Sequence, residues 1–317
     1  MYMVFDALEK GTISLEDTFL VSEKAWRKGG SKMFVEVDKR VAVEDLIRGV
    51  IIQSGNDATI VLAEGLAGTE DAFASALNKK AQELGMDNSH FMNASGWPDP
   101  DHYSTAEDLA ILGVAVIRDF PEFYEYYSET EFKYNDIEQR NRNPLLYRNM
   151  GADGIKTGHT EVGGYGLIGS GEDNGRRVVF VINGLPDERG RAQEGAKLLD
   201  YGLRSFENKT LVTAGQSITE IPVVMGKQDS VFMTAAEDLY ITVPVFHGEE
   251  IKMEVVYKEP LIAPIDKGQE IATLHVTIPG QKEAMTIPLV AGSAIAKKGL
   301  FSETFTKLRY MIGDMKS

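Results

Sequence analysis

The sequence predicts an α+β protein of two domains, and three patterns along its 317 residues indicate this. Apolar residues recur at helical spacing through most of the segment from Met1 to Leu112. A β-hairpin signal follows, in which residues 165–170 and 177–182 flank an Asn-Gly turn. From about residue 208, short apolar runs alternate with turn residues, which is typical of an all-β domain. We therefore expect a mixed domain over 1–207 and an all-β domain over 208–298.

Helices are predicted at six places in the first domain. Their apolar residues recur three or four positions apart, so one face of each helix is apolar. The predicted helices cover residues 1–10, 43–52, 58–66, 70–84, 104–112 and 189–203. Thr69 is expected to cap the fourth helix and Gly85 to end it. The fifth is expected to open on a capping box at Ser104-Thr105-Ala106-Glu107.

Strands are predicted at two places before the hairpin and at six places after it. Residues 19–21 and 34–37 are expected to be strands around a polar, Gly-containing loop. The six strands of the second domain cover residues 218–224, 231–234, 239–243, 251–257, 271–278 and 285–290. Residues 299–317 return to helical spacing with large apolar residues on one face. They predict a C-terminal amphipathic helix suited to a membrane surface.

Composition excludes several classes of partner and cofactor. The net charge of −15 argues against nucleic acid, because phosphate binding needs clustered lysine and arginine. The chain has no cysteine, which excludes disulfides, thiolate metal sites and cysteine nucleophiles. The histidines show no metal-ligand spacing, so neither a metal nor another cofactor is expected. No apolar run approaches the ~18 residues of a transmembrane helix.

A K-T-G motif at Lys156–Gly158 precedes the hairpin and is the first candidate for chemistry. A lysine on a strand beside a cleft offers a fixed positive charge for a substrate carboxylate. Thr157 adds a hydroxyl donor, and Gly158 lets a substrate backbone approach the strand closely. Alone, the tripeptide is weak support, because it could equally be the end of a strand.

An S-G-N motif at Ser54–Asn56 is the second candidate, in a short break between two predicted buried helices. Ser54 can relay a proton between a leaving amine and a lysine, and Asn56 can hold a substrate amide. Alone, this tripeptide could be an ordinary turn. Together the two motifs suit acyl transfer on a peptide that ends in a free carboxylate.

Both motifs resemble those of the penicillin-recognising serine acyltransferases, in which S-x-x-K, S-x-N and K-T-G form one site. Residues 46–58, 90–97, 103–108 and 153–160 resemble low-molecular-mass penicillin-binding proteins of the D-alanyl-D-alanine carboxypeptidase type, peptidase family S11. The resemblance covers essentially the whole chain. It implies a β-lactamase/DD-peptidase-like first domain, with an antiparallel sheet and helices, followed by the all-β domain.

The third motif, S-x-x-K, is absent, since no serine of the chain is followed by lysine three positions later. In the family this motif lies just upstream of a helix like that at residues 2–8. The resemblance therefore implies an N-terminally truncated chain, with the nucleophile, the first strands and a signal peptide before Met1. We expect the chain as printed to be inactive. With no lysine placed to activate Ser54, it should form no covalent penicillin adduct.

The resemblance also assigns roles to the residues of the two motifs. It makes Ser54 the second catalytic serine, which shuttles a proton during acylation and deacylation. Asn56 is implied to bind the substrate amide, and Lys156 the carboxylate of the terminal D-alanine. Thr157, Gly158 and His159 are implied to line the same wall.

Two further groups are weighed against ordinary alternatives. Arg142 is a candidate for the cleft, although an arginine in a polar loop is more often simply solvated. Residues 187–191, which include Arg191, are expected to be an exposed helix start.

The function implied by the resemblance is a serine-type D-Ala-D-Ala carboxypeptidase that trims peptidoglycan stem pentapeptides in the periplasm. It implies binding of β-lactam antibiotics, and attachment to the outer face of the inner membrane through residues 299–317. Two alternatives remain open. One is a catalytically inactive remnant that binds peptidoglycan or a partner. The other is a β-lactamase or a DD-endopeptidase on the same fold.

Overall fold

The computed structural model describes residues 1–245, 251–278 and 284–299, and the chain forms two compact units that divide between Leu203 and Arg204. The boundary that we predict at residue 207 falls inside a strand of the second unit. Residues 300–317, almost all of the predicted C-terminal helix, lie outside the described residues. Among the described residues, no helix is both long enough and apolar enough to cross a membrane.

The helices of the first unit follow the predicted pattern closely. They are α1 (Tyr2–Glu9), α2 (Glu23–Arg27), α3 (Val43–Ile51), α4 (Asn56–Ala67), α5 (Glu70–Glu83), α6 (Ala106–Asp119), α7 (Pro121–Tyr124) and α8 (Glu188–Arg204), with a 3-10 helix at Glu125–Ser128. Six of them confirm the helices predicted from apolar spacing. The two short helices α2 and α7 have too few turns to show that spacing.

Seven strands lie in the same unit. They are β1 (Thr18–Leu20), β2 (Arg40–Ala42), β3 (Glu131–Tyr134), β4 (Ile137–Arg140), β5 (Ala152–Thr160), β6 (Gly164–Asp173) and β7 (Arg176–Leu185). β5, β6 and β7 form a three-stranded antiparallel sheet, while β1–β2 and β3–β4 are separate antiparallel pairs. Asn174 and Gly175 both have positive φ, as the predicted two-residue turn between β6 and β7 requires.

Helices cover both faces of the three-stranded sheet. Leu199 of α8 is fully buried in one cluster with Leu167 of β6. On the other face, a Cβ added at Gly113 of α6 would lie 3.2 Å from Ile155 and Ile168. The helix therefore approaches the sheet too closely for a larger residue to fit without displacement. This packing fixes β5, the strand of the K-T-G motif, between two layers of helix.

A second apolar core joins the N-terminal helix to the middle of the unit. Phe5 of α1 is fully buried and stacks on Phe123, with ring centroids 5.3 Å apart. It also contacts Phe120, at 6.0 Å between centroids. Helices α3 and α4 pack in the same cluster through Leu46 and Ile60, both fully buried. The core thereby supports the break between α3 and α4.

The second unit is all-β in the residues described, as predicted. Its strands are β8 (Phe206–Val212), β9 (Thr219–Val224), β10 (Ser230–Thr234), β11 (Leu239–Pro244), β12 (Lys252–Tyr257), β13 (Leu261–Ile262), β14 (Glu270–Thr277) and β15 (Met285–Ala291). Six form one sheet in the order β12-β14-β15-β10-β9-β13, and β8 pairs with β11. Its core includes Met233, Val276 and Leu289, none with exposed surface.

The strand predicted at residues 34–37 is wrong. Phe34 has a φ of 71°, which is the left-handed region and is incompatible with a strand. The apolar alternation is real, since Val35 is buried while Phe34 is largely exposed. The backbone N–H groups of Phe34 and Val35 donate to the carboxylate of Asp57 instead of to a neighbouring strand.

The capping box predicted at residues 104–107 is displaced by one residue. Thr105 is the N-cap of α6, and its hydroxyl accepts a hydrogen bond from the backbone N–H of Asp108 at 3.1 Å. Ser104 instead contacts the hydroxyl of Ser89 at 2.7 Å. The helix continues to Asp119, beyond the predicted end at Leu112.

Candidate active site

The turn that carries Ser54 is built by the end of α3 and the start of α4. Ser54 has a φ of 61°, and the backbone N–H of Gly55 donates to the carbonyl of Gly49 at 2.9 Å. A Cβ at Gly55 would lie 2.8 Å from the Asp57 carboxylate and 3.0 Å from the backbone nitrogen of Met33. Only glycine therefore fits at the centre of the motif, and the tight turn projects the serine from between two buried helices.

The buried carboxylate of Asp57 holds this turn in place through hydrogen bonds. Its side chain is 1% exposed, and its carboxylate accepts hydrogen bonds from four backbone N–H groups. Three come from residues 33–35, with N–O distances of 2.9, 2.9 and 3.2 Å, and the fourth from Ala58 at 2.9 Å. A buried carboxylate is tolerated because these donors replace water. Asp57 thus binds the 33–35 loop to the start of α4.

Asn56 faces the same loop region on the outer side. Its side-chain amide donates to the carbonyl of Gly29 at 3.0 Å, and its backbone N–H donates to the carbonyl of Ser31 at 2.9 Å. These bonds fix the amide at the edge of a cavity that Asn56 lines together with Ser54.

Lys156 of β5 reaches across to this turn. Its Nζ lies 2.8 Å from Ser54 Oγ and 3.0 Å from the backbone oxygen of Thr157. The two motifs, 102 residues apart in the chain, thus meet through a direct hydrogen bond. The expectation that no lysine is placed to activate Ser54 is therefore wrong, because it considered only a lysine three positions along the chain.

The environment of Lys156 lowers its pKa from 10.5 to about 7. Burial is the main cause, because loss of water disfavours the charged amine. The positive charges of Arg142 and Arg191 add to the effect. The amine is consequently poised between its charged and neutral forms near neutral pH, as is common for functional lysines.

Arg142 is attached to the Ser54 turn through Ser31. Its guanidinium donates to Ser31 Oγ at 2.7 Å, and that hydroxyl donates to the carbonyl of Gln53, also at 2.7 Å. Its neighbours Asn141 and Asn143 are buried and anchor the loop, since Asn143 donates to a backbone carbonyl of β5 at 2.8 Å. Arg142 is therefore an exposed cation held in a fixed place beside the turn.

Arg191 is buried, with 5% of its surface exposed, and so corrects the prediction of an exposed helix start. Its guanidinium lies 5.5 Å from the ring centre of Tyr165. The ring of Tyr165 in turn packs against that of His159, with centroids 4.0 Å apart and the ring planes tilted by 31°. The arginine is drawn inward because α8 packs its first turns against the sheet that carries these two rings.

Ser54, Asn56 and Lys156 line one cavity of about 350 Å³, and most of its other lining residues are apolar. In the part of the chain that the structure describes, this cavity is not lined by Thr157, Gly158, His159 or Arg142. Thr157 is 7% exposed, because alternation along β5 turns it away from Lys156. Gly158 has open space where a Cβ would be. His159, the next residue of β5, is exposed.

Among the residues that the structure describes, acidic and imidazole side chains are not arranged for a metal site. Over residues 1–245, 251–278 and 284–299, no group of three or more potential ligands lies close enough to hold a metal ion. The chemistry that this site can offer is that of an amine, a hydroxyl, an amide and nearby guanidinium groups.

Comparison with known proteins places this geometry in a family. Residues 1–186 match the D-alanyl-D-alanine carboxypeptidase family of peptidases S11, and residues 206–297 match the C-terminal domain of penicillin-binding protein 5. The chain belongs to the D-alanyl-D-alanine carboxypeptidase family. This membership confirms the resemblance drawn from the motifs.

Individual relatives cover nearly the whole chain. The D-alanyl-D-alanine carboxypeptidase DacA of Haemophilus influenzae is 39% identical over 95% of this chain and 78% of its own length. The DacA protein of Escherichia coli K12 is 35% identical over 98% of this chain and 79% of its own. The crystal structure of penicillin binding protein 5 from Haemophilus influenzae aligns with a TM-score of 0.83 at 38% identity, covering 93% and 88% of the two chains.

Two contributors to the site of this carboxypeptidase-family chain, Asp57 and Arg191, are not predicted from the sequence. Asp57 directly follows the S-G-N motif, and a carboxylate beside a buried turn is a usable signal for a backbone-binding role. Arg191 stands among charged residues, and no local pattern distinguishes it from its exposed neighbours.

Proposed function

We propose that this protein acts as a serine-type D-Ala-D-Ala carboxypeptidase, which removes the terminal D-alanine from peptidoglycan stem pentapeptides. The observation that carries the proposal is the 2.8 Å contact between Lys156 Nζ and Ser54 Oγ, made between the K-T-G strand and the S-G-N turn. Arg142 and Arg191 add positive charge around that contact. The carboxylate at the end of a peptide would be attracted to this positive charge.

The carboxylate of the terminal D-alanine is proposed to bind at Lys156. An anion there favours the charged amine and raises the pKa of Lys156 above the value of about 7 in the free site. Substrate binding thus restores the charge that holds the substrate. Gly158, with open space where a Cβ would be, lets the peptide backbone lie along β5. Thr157, His159 and Arg142 are proposed to lie along the same side of the peptide.

Ser54 and Asn56 are proposed to serve the acyl-transfer step. Ser54 passes a proton toward the nitrogen of the leaving D-alanine, because it is hydrogen-bonded to an amine that can exchange one. Asn56 holds the amide of the penultimate residue through its side chain. No metal or other cofactor has a part in this proposal.

The acylated serine itself is proposed to come from an S-x-x-K segment outside the printed 317 residues, which contain no such motif. Its hydroxyl would attack the carbonyl carbon of the penultimate D-alanine, the last D-alanine would leave, and water would hydrolyse the resulting ester. The cavity lined by Ser54, Asn56 and Lys156 is where this hydroxyl would have to lie.

The test compares the printed chain with a form extended by an N-terminal S-x-x-K segment. D-alanine release from a peptide ending in D-Ala-D-Ala is expected only for the extended form. In that form, Lys156→Ala removes a charge-assisted contact worth ~1.5–3 kcal/mol. This corresponds to a loss of roughly ten- to a hundred-fold in kcat/KM.

Lys79→Ala is the matched control, because Lys79 lies on the exposed face of α5 and its side chain is 81% exposed. A wild-type rate of D-alanine release by Lys156→Ala would show that this lysine does not bind the substrate carboxylate. Absence of D-alanine release from a folded extended form would favour the inactive remnant.

We further propose that the protein binds β-lactams, works in the periplasm, and attaches to the outer face of the inner membrane through residues 299–317. The support for attachment is the apolar stripe read from the sequence. Deleting residues 299–317 is expected to abolish co-sedimentation with vesicles and to leave the melting temperature unchanged. Continued sedimentation of the shortened form would refute this attachment.

A further inference from the structure

The contact between Ser54 and Lys156 supports chemistry that needs no S-x-x-K segment. We propose that Ser54 and Lys156 form a nucleophile–base pair, and that the 317-residue chain hydrolyses uncharged, apolar esters through an acyl group on Ser54. This inference does not rest on the carboxypeptidase function. It depends only on residues that the structure describes.

The geometry provides the two requirements of such a pair. Ser54 Oγ and Lys156 Nζ are 2.8 Å apart, within the range of a nucleophile hydrogen-bonded to its base. The turn holds the serine with a φ of 61°, and the bond from Gly55 to Gly49 prevents the turn from relaxing. The lysine is held by its second bond to the carbonyl of Thr157.

The protonation state provides the base. At a pKa of about 7, a large fraction of Lys156 is neutral at neutral pH. A neutral amine can donate to the Thr157 carbonyl and accept a proton from Ser54 through its lone pair. Serine–lysine pairs are known as variants of the serine–histidine arrangement.

The reaction balances with water as the only other reactant. The Ser54 oxygen forms a bond to the ester carbonyl carbon, and its proton passes to Lys156. The lysine returns that proton to the departing alkoxide as the carbon–oxygen bond breaks. Water then attacks the acyl-serine, gives its proton to the same lysine and releases the acid, after which Ser54 regains its proton.

The preferred substrate follows from charge and from the cavity wall. A substrate carboxylate would keep Lys156 charged and remove the base, so anionic substrates, including penicillins, should not acylate Ser54. An uncharged ester leaves the base intact. The cavity beside Ser54 is lined mainly by apolar side chains, among them Val50, Phe73 and Leu112, which suits a short hydrocarbon acyl chain.

The experiment uses the printed chain and two probes. An uncharged alkyl fluorophosphonate is expected to label Ser54. The Ser54 hydroxyl oxygen displaces fluoride from phosphorus, and Lys156 takes the hydroxyl proton. A fluorescent penicillin is expected to leave Ser54 unlabelled. Mass spectrometry of the digested protein locates each label. Ser75→Ala is the matched control, since Ser75 is exposed on α5, does not line the cavity, and donates its hydroxyl to the carbonyl of Asp71 at 3.0 Å.

Hydrolysis of p-nitrophenyl butyrate measures the pair quantitatively. Ser54→Ala is expected to lower kcat/KM about a hundred-fold or more, the usual contribution of such a pair. Lys156→Arg keeps the positive charge but cannot accept a proton, so it should lose the esterase rate to a similar extent. The same Lys156→Arg change in the S-x-x-K form should largely retain affinity for a D-Ala-D-Ala carboxylate.

The pH profile identifies the base. The rate should rise with pH to a midpoint near 7, well below the value of 10.5 for an ordinary lysine. Other charged or titratable groups are also near: Arg142 and Arg191 act on Lys156, and Met1, Lys80 and His102 line the cavity. The pH dependence of the residual rate in Lys156→Arg shows how much these other groups contribute to the wild-type profile.

Three results would overturn the proposal: labelling only at another residue, an unchanged rate in folded Ser54→Ala, or a wild-type midpoint that persists in Lys156→Arg. D-alanine release by the extended form, in the absence of any fluorophosphonate label on the printed chain, would reject this inference alone. Labelling of Ser54 with no D-alanine release would reject the carboxypeptidase proposal alone.

Discussion

The two walls of the site are held in place in different ways. The wall that carries Ser54 is fixed by bonds within residues 29–58, in which Asp57 collects four backbone N–H groups. The wall that carries Lys156 is the strand β5, and the pKa of that lysine is lowered first by burial and then by the positive charges of Arg142 and Arg191. Hydrogen bonds fix the geometry of the first wall, whereas burial and nearby charge set the protonation state on the second.

This difference predicts that substitutions on the first wall will destabilise the fold, whereas those on the second will change protonation. Asp57→Ala is expected to have the largest effect. It leaves several buried N–H groups without a partner, each costing ~1–3 kcal/mol, so a total loss of about 4 kcal/mol is expected. Denaturant unfolding of the variant measures this loss.

Asp101→Ala is the control for that measurement, because Asp101 is exposed on the surface and is not among the residues with positive φ. An Asp57→Ala protein as stable as the wild type would show that the 33–35 loop is held by other contacts. The two walls would then not differ in the way proposed.

Gly55→Ala tests the same wall with a smaller change. The added methyl group would lie 2.8 Å from the Asp57 carboxylate and 3.0 Å from the Met33 backbone nitrogen. Because one of these atoms belongs to the backbone, the loop must shift, at a cost of ~1–3 kcal/mol. The fluorophosphonate labelling rate of Ser54 should fall with it. Gly68→Ala is a poor control because its φ is positive, whereas Gly158→Ala meets open space at normal φ and should be neutral for stability.

The contrast between the walls also explains what the sequence could predict. The S-G-N turn and the K-T-G strand were placed on the right elements because turn and strand signals are local. The strand expected at 34–37 failed because its backbone donors bind a carboxylate more than twenty residues away. Nothing near position 34 in the sequence indicates that partner.

Arg191 shows the same limit on the second wall. Charged neighbours make it look exposed, whereas the packing of α8 on the β5–β6 sheet buries it. The resemblance places the motifs of Ser54 and Lys156 in one site, but it does not give the 2.8 Å contact that these residues make across 102 positions. Distances of that kind depend on the assembled tertiary structure.

Arg191→Gln tests the charge of the second wall and is expected to have the smallest effect. Removing this positive charge should raise the pKa of Lys156 above about 7, by on the order of one unit. The shift is measured from the pH dependence of the Lys156 ¹³Cε resonance. Arg189→Gln is the matched control, since Arg189 lies on the exposed side of the same helix turn.

The sign of the accompanying stability change follows from proton linkage. Between pH 7 and 10.5 the unfolded chain holds a proton on Lys156 that the folded chain has lost. The free energy of unfolding therefore rises with pH through that window on account of this group. Arg191→Gln raises the lower limit of this pH range, so the increase in the free energy of unfolding across the range should be smaller. If the pKa of Lys156 stays near 7 in the variant, the charge of Arg191 does not contribute, and burial with Arg142 sets that pKa.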